Sequence, residues 1–377
     1  MKILGRRMAM GLRAQGRKAA LGLERLLPRP AVTGGAFPRR PITRVVVFGR
    51  LPNPTIDYYL LARLRAAGMP PARIVDIRDV NLGTIEPVGT LVIICRYATR
   101  RLVTWIERHS VVLAGVALFS DDDIGAVITG SEAKLGYRLF LYHWALRPLR
   151  RLNRHLDMVW VSTPALAEAL AQAQALVLPP APPEELWQRS AEASVTDDSG
   201  AVSIVYQATA VHTKEHRFLR PIIEAVLRAR PEVQFEVTAD ERTAPIWAAL
   251  ERVRVVSPSS WEAFLARTTQ QGADIALVPL LRSRANETRA GTKRIDVVRL
   301  GAAGIFSESS AYGAPDGSAE PRLPNRRKVW IETILRLVDD PRARADAAAA
   351  SRRLVAAASL AAGRGLPGLE TSDAARD

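Results

Sequence analysis

The amino-acid sequence predicts an α/β protein with two Rossmann-like, doubly wound domains in tandem that face each other across a cleft. In both halves of the 377-residue chain, apolar segments of strand length alternate with amphipathic segments of helix length. The strand segments are almost continuously apolar, which is typical of parallel strands that helices cover on both faces. A stretch rich in Pro, Ser and acidic residues, 178–200, separates the halves and is the best candidate for a linker. We therefore expect one domain over 41–177, a second over 201–362 and a tail over 363–377.

The first predicted domain alternates strands with helices. Its predicted strands are, in order, ITRVVVFGR, ARIVDIRD, TLVIICRY, VVLAGVALFS and DMVWVST. Its predicted helices are TIDYYLLARLRAAG, a segment over 99–108 and a long segment over 130–154.

The second predicted domain repeats this alternation. Its predicted strands are VSIVYQA, VQFEVTA, RVRVVS, DIALVPL and GIFSES. Its predicted helices are KEHRFLRPIIEAVLRAR, SWEAFLART, one that opens at Thr292, and two final helices over 326–338 and 342–358. Ligands of doubly wound sheets bind beyond the carboxyl ends of the strands, so we expect the site in the cleft between the sheets.

The net charge of +15 is concentrated at the start of the chain. Residues 1–40 hold ten Lys and Arg against Glu24 alone, so the remaining residues carry only +6. This leader, in which Leu, Ile and Met alternate with the cations, fits either a basic amphipathic helix on an anionic membrane surface or a solvated tail. Because the rest of the chain is mildly basic and only 6% aromatic, we expect no specific nucleic-acid partner.

Cysteine content and hydropathy indicate a cytoplasmic protein. Cys95 is the only cysteine, so the sequence offers no disulfide framework and no cysteine metal site. No apolar run approaches the roughly 20 residues that cross a membrane, and the N-terminus lacks the apolar core of a signal peptide. Attachment at the inner membrane face would be peripheral. There is no Gly-x-Gly-x-x-Gly or Walker loop, which argues against NAD or ATP chemistry, and we expect no cofactor.

The stretch NETRAGTKRIDVVRL, 286–300, concentrates cations at a predicted helix start. Its key residues are Arg289 before the helix, Thr292 as N-cap, and Lys293 and Arg294 in the first turn. A helix start already carries partial positive charge, so added cations are unfavourable unless an anion binds. Free backbone N–H groups and these side chains suit a diphosphate. The alternative is a solvated helix start paired with Glu287 and Asp296.

The segments DIALVPL, Asn286 and TKRIDVVRLGAAGIFSESSAY resemble the GT-B-fold nucleotide-sugar glycosyltransferases, particularly the bacterial enzymes of surface-polysaccharide assembly. The resemblance covers about 42–360 and is strongest over 274–312. It implies that Lys293 meets the diphosphate of the donor. It also implies that Asp296 stands where the family's glutamate holds the ribose hydroxyls.

Two positions depart from the family pattern. The family's glutamate is an aspartate, Asp296, in this chain. The family's earlier acid, eight residues before Asp296, is Thr288 in this chain, and Glu287 lies one place away.

The segment YQATAVHTKEH follows the first strand of the second domain and opens a helix. His212, Lys214 and His216 should therefore face the cleft. In the resembling family a basic residue in this loop approaches the donor, so we favour His212 for stabilising the departing diphosphate, with Lys214 as a donor-binding residue. The alternative is that both histidines are surface residues at a helix start.

The segment LFSDDDIG places Asp121, Asp122 and Asp123 at the carboxyl end of a buried strand. Three adjacent carboxylates repel one another, so cations or hydrogen-bond donors should offset them. They could provide a base for an acceptor hydroxyl, hold Mg²⁺ or Mn²⁺ in an Asp-x-Asp arrangement, or cap the next segment and pair with Arg. We expect a metal-independent mechanism, with these residues on the acceptor side.

Two other segments of the first domain are candidates for acceptor binding. In FGRLPNPTIDYYL, the predicted acceptor-binding residues are Gly49, Arg50 and Asn53 in the loop, with Tyr58 or Tyr59 available to stack on a sugar. Further on, four arginines share one predicted helical face, namely Arg147, Arg150, Arg151 and Arg154. That face fits either an anionic lipid or lipid-diphosphate acceptor, or a solvated helix surface.

The leading functional hypothesis is a glycosyltransferase. It would move a sugar from a nucleotide-diphosphate sugar to a glycan or lipid-linked acceptor in cell-surface polysaccharide synthesis. The alternative is a non-catalytic module of the same fold, or a basic protein that binds polysaccharide or nucleic acid.

Overall fold

The computed structural model describes residues 22, 24–35, 37–66, 68–188, 200–208 and 212–369. In these residues the chain forms two six-stranded sheets, and the strands of both sheets pair in parallel. The predicted α/β class with two doubly wound domains is confirmed. The apolar strand sequences explain the arrangement, because both faces of each sheet must be covered by helices.

The first sheet consists of β1 (Arg44–Gly49), β2 (Ala72–Asp76), β3 (Thr90–Cys95), β4 (Gly115–Ser120), β5 (Met158–Val161) and β6 (Leu176–Val177). Its strand order is β2-β1-β3-β4-β5-β6. The helices of this domain are α1 (the π-helical Ile56–Leu60 continuing as Leu61–Ala66), α2 (Arg100–His109), α3 (Ile124–Thr129), α4 (Leu135–Leu141 with the π-helical turn Tyr142–Leu146), α5 (Leu149–Leu152) and α6 (Pro164–Ala169).

The second sheet consists of β7 (Val202–Gln207), β8 (Val233–Thr238), β9 (Val253–Val256), β10 (Ile275–Val278), β11 (Ala303–Ser307) and β12 (Arg322–Leu323). Its strand order is β12-β11-β10-β7-β8-β9. The helices of this domain are α7 (Thr213–Ala229), α8 (Trp261–Gln270), α9 (Arg284–Glu287), α10 (Lys293–Arg299), α11 (Arg327–Asp339) and α12 (Pro341–Leu360).

One hydrophobic cluster crosses the boundary between the domains. Ile295 and Val298 of α10 and Val355 of α12 belong to the same buried cluster as Tyr58 and Trp160 of the first domain. The apolar face of α10 is therefore packed against the first domain, which fixes the position of the first turn of this helix in the cleft.

The predicted leader over 1–40 is wrong for its second part. Residues 1–21, 23 and 36 lie outside the described residues. From Glu24 onwards the segment packs on the first domain, where the Thr33 N–H donates to Leu156 O at 2.8 Å and Leu27 joins the apolar core. Arg39 also pairs with Asp157 at 2.8 Å. The basic composition concealed the few apolar residues that attach this segment.

The predicted linker and tail also take part in packing. Leu178, Leu186 and Trp187 of the linker are buried in the cluster between the domains, whereas 189–199 lies outside the described residues. After α12 the chain returns to the first domain. There the Trp160 Nε1–H donates to Pro367 O at 2.9 Å, and Arg63 donates to Gly365 O at 3.0 Å. The segment up to Leu369 therefore belongs to the folded protein.

The predicted long helix over 130–154 is divided. It consists of α4 with its π-helical turn, a break around Pro148, and the short helix α5. Proline lacks the N–H that would continue the helix, which explains the break. Within the described part of the chain, no helix is both long and apolar enough to cross a membrane.

Candidate active site

A cavity of about 200 Å³ lies between the two domains. Its floor is formed by the carboxyl ends of β7 and β10 and by the start of α10, and Tyr59, Asp121 and Asp122 line it from the first domain. The strands β7 and β10 are neighbours at the point where the strand order of the second sheet reverses. This is the position at which doubly wound sheets bind their ligands.

The second domain contributes the positive charge of this cavity. The Lys293 side chain is 35% exposed, and its Nζ lies 2.9 Å from Asp296 Oδ2. The Nη1 atom of Arg289 is 3.2 Å from His212 Nε2, and its Nε atom is 3.4 Å from Asp122 Oδ1. The structure thus brings Lys293 and Arg289 of the predicted diphosphate-binding stretch together with His212 of the predicted loop after β7. Thr292 also lines the cavity, although its side chain does not cap α10.

Asp296 forms one acidic corner of the cavity, and three internal donors bind its carboxylate. Oδ1 accepts hydrogen bonds from Tyr58 Oη and Arg299 Nη2, both at 2.5 Å, and Oδ2 accepts from Lys293 Nζ. Burial alone would raise the pKa of Asp296, but Lys293 and Arg299 outweigh it and hold the pKa below the usual value. Asp296 is therefore a carboxylate that joins α10 to the first domain.

Asp121 and Asp122 form the second acidic corner, on the first-domain side. Arg96 Nη1 lies between them, 3.0 Å from Asp121 Oδ1 and 3.2 Å from Asp122 Oδ2. Thr55 Oγ1 donates to Asp121 Oδ2 at 2.9 Å. Burial raises the pKa of Asp121, and Arg96 offsets only part of that effect. Burial acts on Asp122 too, but Arg289 and Arg96 together lower its pKa.

The sequence analysis missed Arg96, which follows β3. This residue has a φ of 67°, in the left-handed region that residues with a side chain rarely adopt. The conformation directs a cation at two carboxylates at the carboxyl edge of the sheet. A basic residue directly after the apolar strand TLVIIC, in a domain with an acidic cluster after a neighbouring strand, was the available signal.

The two histidines of the predicted loop have different environments. Burial lowers the pKa of His212, although Glu215 Oε2, 3.6 Å from its Nδ1, acts in the opposite direction. His216 does not face the cleft as predicted. It is 1% exposed, its Nδ1 accepts a hydrogen bond from Trp247 Nε1 at 2.9 Å, and burial lowers its pKa to about 4. His216 is therefore a neutral core residue.

Two of the predicted site residues point away from the cavity. Arg294 makes a paired contact with the buried Glu320 at 2.9 and 2.8 Å, because it lies about 100° around the helix from Lys293. The Asp123 carboxylate caps α3 by accepting from the Ala126 N–H at 2.9 Å. Of the three aspartates, only Asp121 and Asp122 line the cavity.

Two other predicted donor-binding residues lie at the rim and not in the cavity lining. Lys214 reaches across the cleft to Glu132 of the first domain, with Nζ 3.1 Å from Oε1. The Asn286 side-chain amide donates to Glu215 Oε1 at 3.2 Å and to Leu281 O at 2.8 Å. Asn286 therefore supports the carboxylate that stands behind His212.

The predicted acceptor loop follows β1 but is engaged internally. Asn53 is buried, and its Oδ1 accepts from the Thr55 N–H at 3.1 Å. At Gly49 a Cβ would lie 2.7 Å from Ile56 Cδ1, so the residue allows a close turn. Tyr58 is buried and bonded to Asp296, so it is not available to stack on a sugar as predicted. Arg50 is exposed and lies over the ring of Phe140.

Gln207, the last residue of β7, is a further lining residue that the sequence did not reveal. Its Nε2 is buried and has no hydrogen-bond partner among the described residues. A buried amide without a partner is unfavourable, and at the switch point of a sheet it is well placed to donate to a ligand.

The three-aspartate segment does not form a metal cage by itself, since Asp123 caps α3. Within the described ranges, no group of three or more His, Cys, Asp or Glu side chains is arranged to hold a metal ion.

No protein-family model and no curated protein sequence matches the chain. Among solved structures, it is similar to the Anabaena protein Alr3699/HepE in complex with UDP and glucose. The TM-score is 0.54 and the identity 11%, over 85% of this chain and 97% of that chain. The chain has the GT-B fold. The GT-B similarity extends to a mutant of S. aureus TarM in complex with UDP, with a TM-score of 0.50 and 11% identity over 75% of this chain. The chain covers only 56% of the length of TarM.

Proposed function

We propose that this GT-B protein is a glycosyltransferase that binds a nucleotide-diphosphate sugar in the cavity between its domains. The observation that carries the proposal is the distribution of charge across one cavity, with cations from the second domain facing a carboxylate pair from the first. The Anabaena protein of the same fold was solved in complex with UDP-glucose, at a TM-score of 0.54 and 12% identity. That similarity supports the fold, and the charged residues of this chain support the chemistry.

In this proposal Lys293 and Arg289 bind the diphosphate. Lys293 uses one N–H on Asp296, which leaves two donors for phosphate oxygens. Arg289 can present a planar guanidinium to the same group. His212 accepts from Arg289 and faces Glu215, so it acts as a positioning residue for Arg289 and favours the departing diphosphate through that cation.

The first domain supplies the base in this proposal. Asp121 lines the cavity from the first domain, and its raised pKa makes it a better proton acceptor than an ordinary exposed aspartate. It takes the proton of the acceptor hydroxyl as that oxygen attacks the anomeric carbon and the nucleotide diphosphate departs. The guanidinium group of Arg289 and the ammonium group of Lys293 can stabilise the leaving diphosphate, so we propose that transfer needs neither a metal ion nor a cofactor.

We further propose that the acceptor is a glycan or a lipid-linked sugar of a cell-surface polysaccharide. The protein would then work in the cytoplasm, and residues 1–21, which carry six Lys and Arg and no acid, would help to hold it at the inner membrane face.

The first test is nucleotide binding by calorimetry with UDP, GDP, CMP and dTDP sugars. We expect one class to bind, and we expect Lys293→Ala to weaken its affinity by roughly 10- to 100-fold, since a charge-assisted contact contributes about 1.5–3 kcal/mol. Arg294→Ala is the matched control, because the neighbouring cation is engaged by Glu320 and should leave affinity unchanged. Equal losses in both variants would remove the diphosphate assignment.

The second readout is donor turnover, with and without EDTA. Turnover that survives EDTA supports the metal-independent mechanism, and turnover that EDTA abolishes and Mn²⁺ restores contradicts it. Specific nucleotide binding without turnover across a panel of acceptors would favour the non-catalytic module.

A further inference from the structure

The first domain exposes an unusual surface beside the mouth of the cleft. Large apolar side chains are prominent on α4, where Leu135 is 71% exposed, Leu139 61% and Tyr137 41%. Leucines exposed to this degree are unfavourable in water unless another apolar phase covers them. Leu135 and Leu139 are four residues apart on the same helix, so together they offer an apolar surface that a partner could cover.

The same chain segment is strongly basic. Residues 134–156 contain six Lys and Arg and no Asp or Glu. Among these cations, Arg147, Arg150 and Arg154 are exposed, whereas Arg151 pairs with Glu107. Lys134 is exposed as well. Because this segment contains no acid of its own, its exposed cations produce a local positive potential next to the exposed leucines.

The apolar and basic residues belong to one chain segment, 135–154. Leu135, Leu139, His143 and Arg147 follow one another at four-residue spacing, and Arg147 Nη1 lies 3.4 Å from His143 Nδ1. We call these four residues, together with the exposed Arg150 and Arg154 after the break around Pro148, the α4–α5 stripe. One end is apolar and the other is cationic, so the stripe presents the two kinds of side chain that bind the apolar and the anionic parts of a membrane surface.

We propose that the α4–α5 stripe docks the protein on an anionic lipid bilayer. The leucines at the α4 end enter the boundary between headgroups and acyl chains, while the arginines at the α5 end contact lipid phosphates. We prefer an anionic bilayer because its phosphates can neutralise the three exposed arginines and its acyl chains can bury the leucines. A neutral glycan would not neutralise the arginines, and acidic groups of a protein alone would not bury the leucines.

The α4–α5 stripe lies next to the cleft between the domains. The residues just before α4, Ser131 and Glu132, contact Lys214 at the rim of the second domain. Arg50, which follows β1, lies over Phe140 of α4. A bilayer under the stripe therefore borders the mouth of the cavity. This surface is separate from residues 1–21, and docking does not depend on the proposed transfer reaction.

The proposal is tested by co-sedimentation of the full chain with vesicles of phosphatidylcholine, with or without phosphatidylglycerol. Replacing Arg147, Arg150 and Arg154 together with Gln should lower partitioning onto the anionic vesicles by roughly 100-fold, since each cation near the surface contributes about fivefold. Leu135→Ser with Leu139→Ser should lower partitioning by about tenfold. All of these side chains are exposed, so thermal unfolding should remain unchanged.

Matched controls come from the second domain. Arg228, Arg282 and Arg353, all exposed, are replaced together with Gln to remove the same charge, and Leu354→Ser with Leu360→Ser removes two exposed leucines. A full chain with Gln at the six cations of 1–21 measures the contribution of that segment. The proposal is overturned if the parent fails to bind anionic vesicles or if the controls lose as much as the stripe variants. It is also overturned if the parent self-associates and the Leu135 and Leu139 variant is monomeric, because a second copy would then cover the stripe.

Discussion

The two acidic corners of the cavity differ in how completely their carboxylates are satisfied. Asp296 has two cations and a tyrosine hydroxyl within 2.9 Å. Asp121 and Asp122 share the cation Arg96; Thr55 also donates to Asp121, and Arg289 lies 3.4 Å from Asp122. The first carboxylate has a lowered pKa, and Asp121 of the second pair has a raised one. The three acids that line this cavity therefore have different roles. A carboxylate with full compensation holds the domains together, and one with partial compensation is available for proton transfer.

The largest expected effect is on the rate of transfer. Asp121→Asn should lower kcat by roughly 10²–10⁴-fold and leave nucleotide affinity nearly unchanged, as expected for loss of a general base. Burial raises the pKa of Asp121, so the acid limb of the rate profile should lie at higher pH than an exposed aspartate would give. Transfer kinetics across pH, with calorimetry for the nucleotide, measure both.

Asp123→Asn is the matched control for that experiment. Asn caps helices about as well as Asp, so this variant should keep the rate, the affinity and the fold. If Asp121→Asn and Asp123→Asn lose activity equally, the distinction between the lining carboxylates and the capping one is wrong. A loss of nucleotide affinity in Asp121→Asn would instead place this corner at the donor.

The next effect is on stability, at the satisfied corner. Asp296→Asn should lower the free energy of unfolding by about 3–5 kcal/mol, because the guanidinium of Arg299, only 1% exposed, would remain buried without its carboxylate. The stabilisation by Asp296 should be present above the unfolded-state pKa and be lost as pH falls through its lowered folded-state pKa. Urea unfolding at neutral and acidic pH measures both quantities.

Asp339→Asn provides the comparison for Asp296. The substitution breaks an ion pair with Arg230 in which both side chains are about one third exposed or more. The free energy of unfolding should therefore fall by only about 0–1 kcal/mol. An Asp296→Asn variant of unchanged stability that no longer binds nucleotide would support the ribose contact that the family resemblance implies. The two acidic corners would then both face ligand.

The sequence predicted the sheets well because buried parallel strands have an unmistakable apolar pattern. It also selected His212, Arg289 and Lys293, since residues after strands and at helix starts of doubly wound domains converge on one cleft. The direction of individual side chains could not be predicted. Lys293 and Arg294 are adjacent, yet one lines the cavity and the other binds Glu320, and only three-dimensional packing separates them.

Other errors arose from long-range contacts. The segment after Glu24 looked like part of a charged tail, but Arg284 of the second domain pairs with Glu24, and Leu27 packs in the core. Tyr58 looked like an exposed aromatic residue near a loop, and its partner Asp296 is far away in the sequence. Composition and periodicity report local preferences, so contacts across hundreds of residues are outside their reach.

The smallest expected effect is at Gln207. Its buried Nε2 has no hydrogen-bond partner among the described residues, so it is less satisfied than either acidic corner. If unsatisfied groups in this cavity serve ligands, Gln207→Leu should weaken nucleotide-sugar affinity by roughly 2- to 10-fold, the value of one neutral hydrogen bond of about 0.5–1.5 kcal/mol. The same change should leave the free energy of unfolding unchanged or raise it by about 1 kcal/mol, because a buried unpaired amide is removed. A variant that binds nucleotide sugar more weakly but is no less stable has lost a ligand contact and not a structural one.

Gln234→Leu on the adjacent β8, where the side chain is exposed, is the control and should alter neither affinity nor stability. Reduced stability with unchanged affinity in Gln207→Leu would show that its amide stabilises the fold. Lack of a hydrogen-bond partner within the protein would then not indicate a ligand contact at this position.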